Sequence, residues 1–123
     1  MPLYSSTINP PCLDVGRSLV MFDGTETPAV GLKSIAFARG TQGSDDAGTT
    51  FDGSGLPAGM TIDVQVANLN VDADFHTVST LSPSGGSPDS GNIAYTDTGR
   101  SAFYRLYVSA YTSGAMPIVI AQR

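Results

Sequence analysis

Between residues 61 and 82 the chain runs without a glycine or a proline, although it holds 14 Gly and 8 Pro in all. Within that run Ile62, Val64 and Val66 alternate with Asp63 and Gln65, so a period-2 strand puts the three apolar residues on one face and the polar pair on the other. An Asn/Asp-rich stretch and then Phe75-His76-Thr77-Val78 follow, and together they predict a β-hairpin. A helix over the same residues would align Val64, Val71, Phe75 and Val78. The density of Val, Ile and Thr argues against it, as does the habit of Asn68, Asn70, Asp72 and Asp74 of competing locally for backbone hydrogen bonds.

Residues 101–113 form a second uninterrupted run and contain the strongest strand. Alternation puts Tyr104, Leu106, Val108 and Ala110 on one face and Phe103, Arg105, Tyr107, Ser109 and Tyr111 on the other. Both faces are substantially apolar. One belongs to the core; the other, an arginine among aromatics, is either covered by a loop of the same domain or an interaction surface.

Shorter strands are predicted over residues 17–22, ended by the turn pair Asp23-Gly24, and over 30–39, with Ile35 and Phe37 on one face and Ala36 and Ala38 on the other. Residues 92–96 form another, and 116–121 the last, with Pro117 at its start or on an edge. The core candidates are Ile62, Val64, Val66, Leu106, Val108, Ile118 and Ile120. Residues 41–59 are glycine-rich, carry Asp45, Asp46 and Asp52, and have apolar side chains mainly at Phe51 and Leu56, so they read as a long loop or two turns. Loops longer than about 12–15 residues in a compact domain are usually functional or disordered. Residues 82–91 read as a Ser/Pro/Gly linker at an exposed tip.

Some seven short strands between Gly/Pro turns, with no helix of consequence, imply an all-β fold, an antiparallel β-sandwich or jelly roll. Residues 1–15, with Pro2, Pro10 and Pro11, read as an extended N-terminal arm, which leaves 16–123 as a single β-sandwich domain.

Composition narrows the function. The chain has 123 residues, enough for one domain with its own core, and one cysteine, Cys12, which excludes an intrachain disulfide and reads as an incidental thiol. The opening residues lack a basic n-region and an apolar h-region, and no apolar stretch reaches about 18 residues. The expectation is a protein made in a reducing cytoplasm, with no cleaved signal and no membrane insertion. A net charge of −5, with six Lys plus Arg spread along the chain, leaves no basic patch for direct nucleic-acid binding. Charged residues make up 14% of the chain, against roughly 25% in a typical soluble domain, which suits either a surface partly covered by other subunits or a small secreted-type β domain with a Ser/Thr surface.

Catalytic and metal chemistry finds little support. His76 is the only histidine, and no Gly-x-Ser-x-Gly elbow, P-loop or zinc-ligand cluster accompanies it. Asn70-Val71-Asp72-Ala73-Asp74 begins like a calcium loop, but Phe75 stands where the loop needs glycine and Leu81 where it needs glutamate. Glu26 is the only glutamate, a poor basis for paired-carboxylate chemistry. The expectation is no enzyme activity, no cofactor and no metal.

Two segments resemble known proteins. Val64-Gln65-Val66-Ala67-Asn68, the acidic turn and Phe75-His76-Thr77-Val78 resemble the strand, turn and aromatic of galactose-binding-like jelly rolls, and Phe103-Tyr104-Arg105-Leu106-Tyr107-Val108 resembles their later arginine-containing strand. The closing strand Met116-Pro117-Ile118-Val119-Ile120-Ala121-Gln122-Arg123, in a short, charge-poor, Gly/Ser/Thr-rich chain, is similar to small β-sandwich virion proteins of tailed bacteriophages. That resemblance implies a capsid decoration (cement) protein or small tail component, made in the host cytoplasm and located in the virion. It would be a homo-oligomer, with the major capsid protein or another virion protein as partner. The alternative is a carbohydrate-binding module of a tail fibre or accessory protein. The interface candidates are Tyr4, Pro10, Pro11, Phe51, Arg105, Tyr107 and Tyr111.

Overall fold

A computed structural model describes residues 11–39, 48–81, 93–97 and 101–123. In chain order the strands are β1 (Cys12–Leu13), β2 (Ser18–Asp23), β3 (Phe37–Arg39), β4 (Thr49–Ser54), β5 (Met60–Ala67), β6 (His76–Thr80), β7 (Ile93–Asp97), β8 (Phe103–Tyr111) and β9 (Ile118–Gln122). Among the described residues the one helical element is a single 3-10 turn at Asp72–Asp74.

The strands form a five-stranded sheet, β1-β3-β8-β5-β6, and a four-stranded sheet, β2-β9-β4-β7. Apart from β1, successive strands cross from one sheet to the other except at the β5–β6 hairpin. That alternation is jelly-roll topology. All the strand pairs are antiparallel except β1 with β3, which run parallel.

The core follows from the alternation in β5 and β8. Their register sets Ile62 opposite Val108, Val64 opposite Leu106 and Val66 opposite Tyr104, and all six are buried. From the other sheet Phe51 meets them: its ring centroid lies 6.2 Å from that of Phe37 and 6.4 Å from that of Tyr104, and Phe37 stacks on Tyr104 at 5.4 Å. These three rings join the two sheets.

Three sequence expectations are corrected. Residues 49–54 are not loop but β4, an inner strand between β9 and β7 that buries Thr49 and Phe51. Its glycines disguised it. A Cβ on Gly53 would lie 2.1 Å from the Ile118 carbonyl oxygen, so glycine is what lets β4 approach β9. In β9 the buried residues are Val119 and Ala121, while Ile118 is exposed and Ile120 half-buried. Both phases of Ile118-Val119-Ile120-Ala121 are apolar, so alternation could not choose between them, and a shift of one residue exchanges the faces.

Within residues 30–39 only Phe37–Arg39 is regular strand. Residues 31–34 still run beside β8 (Gly31 N to Val108 O, 2.8 Å; Ser34 N to Leu106 O, 2.9 Å), but the Leu106 amide donates to Ser34 Oγ at 2.8 Å. A side chain thus stands where the ladder would use a carbonyl. Beyond it Ile35 is exposed, and Ala36 and Phe37 are both buried.

Residues 11–15 of the expected arm lie across the domain itself. Leu13 belongs to the core, the Pro11 carbonyl accepts from Ala38 N at 2.7 Å, and Arg123 Nη1 donates to the Leu13 carbonyl at 3.0 Å. The remainder of the expected arm, the linker over 82–91 and the Asp45-Asp46 pair lie outside the described residues.

Candidate functional site

The outer face of the five-stranded sheet carries a chain of polar contacts centred on Arg105. Its position in β8 sets it opposite Gln65 of β5, pointing away from the core, yet only 8% of its surface is exposed. Three neighbours account for that. Arg105 Nε donates to Gln65 Oε1 at 2.8 Å, Nη1 donates to the Asp72 carboxylate, and the guanidinium carbon lies 4.1 Å from the centroid of the Phe75 ring.

The hairpin turn places the last two. Asp74 Oδ2 accepts the backbone N–H groups of Asn68 and Leu69, each at 2.8 Å, which folds the Asn/Asp run back on itself. The 3-10 turn then carries Asp72 and Phe75 over the sheet. Lys33, arriving on the segment beside β8, donates to Asp72 Oδ1 at 3.1 Å and Oδ2 at 2.9 Å. On the other side Gln65 Nε2 donates to Thr77 Oγ1 at 3.4 Å, and Thr77 and Thr80 both donate to Asp63, at 3.3 and 3.2 Å.

The Arg105 hydrogen bond, helped by that from Lys33, pulls the Asp72 carboxyl from the ordinary 3.8 to about 2. Asp74 is also held below the usual carboxylate range, by the Leu69 and Asn68 amides. The two aspartates of the would-be calcium loop thus serve different partners: one closes the turn and the other bridges two cations.

A cleft of about 340 Å³ opens here. Ala36 and Arg105 contribute its buried lining, Ser34, Asn70 and Phe75 its half-buried lining, and Lys33 and Asp72 its exposed rim.

The outer face of the four-stranded sheet carries a different feature. Val20 of β2 stands opposite Ile120 of β9, and Ile118 lies two residues further along the same face. Val20 is 52% and Ile118 47% exposed, so three branched apolar side chains form a patch at the surface. Its border is polar: Thr50 Oγ1 lies 3.0 Å from Thr96 Oγ1, and Gln122 Nε2 donates to Asp52.

The sequence-predicted interface residues fall in several places. Tyr4 and Pro10 lie outside the described residues, and Pro11 is half-buried beside β3. Phe51 is corrected: it has no exposed surface, because β4 is an inner strand facing the other sheet. Arg105 lines the cleft, and Tyr107 is half-buried beside the Lys33 segment. Tyr111 folds back, donating from its hydroxyl to the Gly114 carbonyl at 2.9 Å and packing on the core. Lys33, Asp72 and Phe75 were not among the candidates. An arginine on the outward phase of a covered strand needs a counter-charge, and the acidic hairpin turn was the signal that could have named Asp72.

Cys12 is exposed, and partial burial and Asp14 push its thiol up, away from a reactive thiolate.

No protein-family model matches the chain, and neither the curated proteins nor the solved structures contain a match to it.

Proposed function

We propose that this chain is a non-enzymatic structural protein of a bacteriophage particle, of the capsid decoration (cement) kind, acting through contacts between its own copies and the shell. The observation that carries the reading is the apolar patch of exposed Val20 and Ile118 with half-buried Ile120 on the outer face of the four-stranded sheet, bordered by hydrogen-bonding residues. An apolar centre with a polar rim is the usual anatomy of a protein interface. The low charge content, 14%, supports it from the sequence side. Jelly rolls serve in capsid shells and in lectins, so the fold contributes only by analogy. Co-sedimentation with phage capsids lacking their own decoration protein tests the proposal. Wild type should pellet with the particles and Val20→Asp/Ile118→Asp should remain in the supernatant; equal partition of the two would refute the role of this face.

The second reading, a carbohydrate-binding module, draws on the cleft at Arg105, where hydrogen-bonding groups stand around an aromatic side chain. It uses the opposite sheet and is compatible with the first.

A further inference from the structure

We infer that the cleft formed by Lys33, Ser34, Asn70, Asp72, Phe75 and Arg105 is a binding site for a neutral saccharide bearing neighbouring hydroxyl groups. The inference rests on the carbohydrate reading alone and is independent of any particle. Its first support is size. About 340 Å³ lies at the low end of the roughly 300–1,000 Å³ of small-molecule sites, which suits one or two sugar rings.

The second support is chemistry. A sugar hydroxyl both donates and accepts, so neighbouring hydroxyls need donors and acceptors side by side. Asp72 is an acceptor with 68% of its side chain exposed, and Lys33, which binds it, is a donor 39% exposed; the two stand in contact. Asn70 adds an amide to the same wall, and Ala36 and Phe75 supply apolar surface for the C–H groups of a ring.

The third support is preorganisation. Arg105 is clamped by Gln65, Asp72 and Phe75, and Asp74 holds the turn that carries Asp72, so these groups are ordered before a ligand arrives. The lining holds two cations against one carboxylate, but both cations are already paired with Asp72, Arg105 is nearly buried, and the Asp72 carboxylate is the most exposed charge at the mouth. An acidic sugar would set its carboxylate against that of Asp72, which favours a neutral ligand.

The test is a ¹H–¹⁵N NMR titration of the full chain with galactose, glucose and mannose, and with glucuronate as the charged comparison. At least one neutral sugar should shift the amides of Lys33, Asn70, Asp72 and Phe75 saturably. Phe75→Ala and Lys33→Gln should each weaken that sugar about tenfold or more while the far-UV circular dichroism spectrum stays unchanged. Thr96→Ala, on the other sheet, should bind as wild type does. Saturable shifts confined to other residues would overturn the cleft and leave the carbohydrate reading standing. Binding of glucuronate alone would overturn the neutral class. No shift with any of the four sugars would overturn the inference and the carbohydrate reading together. Should one variant fail to fold, the other decides.

Discussion

The guanidinium of Arg105, within β8, lies 4.1 Å above the ring of Phe75, which ends the hairpin turn just before β6 and is far from Arg105 in sequence. The contact ties the hairpin turn to the middle of the five-stranded sheet, and with Gln65 and Asp72 it accounts for a nearly buried cation on an outer face. Lysine keeps the charge but loses the planar fork and the stacking surface. Arg105→Lys should therefore lower stability by about 1–2 kcal/mol, read from the urea midpoint. An unchanged midpoint would show that the stacking contributes nothing.

Asp72 gives a pH signature. Its carboxyl titrates at about 2 in the folded chain, below the ordinary 3.8, because Arg105 and Lys33 bind the ionised form. A depressed folded value means that the contribution is fully present above 3.8 and is lost as pH falls from there through about 2. Across that window wild type should lose stability more steeply than Asp72→Asn, in urea titrations at stepped pH. Parallel curves would contradict the bridge, and a carboxyl ¹³C titration at Asp72 reads the same group directly.

The register of β9 can be checked by contrast. Val119 is fully buried and Ile118 is exposed, so in the dilute, unassembled chain Val119→Ala should cost about 1–3 kcal/mol and Ile118→Ala within about 0.5 kcal/mol. The reverse order would restore the phase read from the sequence, with Ile118 and Ile120 in the core. Leu106→Ala, in the fully buried face of β8, should cost about 2–5 kcal/mol.

Gly53→Ala tests the close approach of β4 to β9. The added methyl meets backbone, the Ile118 carbonyl, and not the movable end of a side chain, so the two strands must separate. A drop in the urea midpoint is expected together with loss of amide-exchange protection at Val119 and Ala121. Retained protection would place the strands further apart.

Legibility in the sequence tracked how one-sided each strand is. In β5, Ile62, Val64 and Val66 alternate with polar neighbours, so strand and face could be read together. In β9 both phases are apolar and only the partner strands decide which is buried. β4 was hidden because Gly53, required by close packing, looks in sequence like a turn residue. The cleft was half legible. Arg105 stood out as a cation among aromatics, but its partners come from 33 and 40 residues away in sequence, a pairing that only the hairpin and its register create. Asp72 was weighed only as part of a metal loop, because local spacing carries no information on which strand the turn will lie over.

The proposed role rests on contacts between folded copies across the face of Val20, Ile118 and Ile120. Sedimentation velocity of the full chain over a range of micromolar concentrations is the most direct measurement for a protein of 12.7 kDa. Wild type should sediment as a defined oligomer and Val20→Asp/Ile118→Asp as a folded monomer. A wild-type chain that is monomeric at every concentration, and does not pellet with capsids, would contradict assembly through this face.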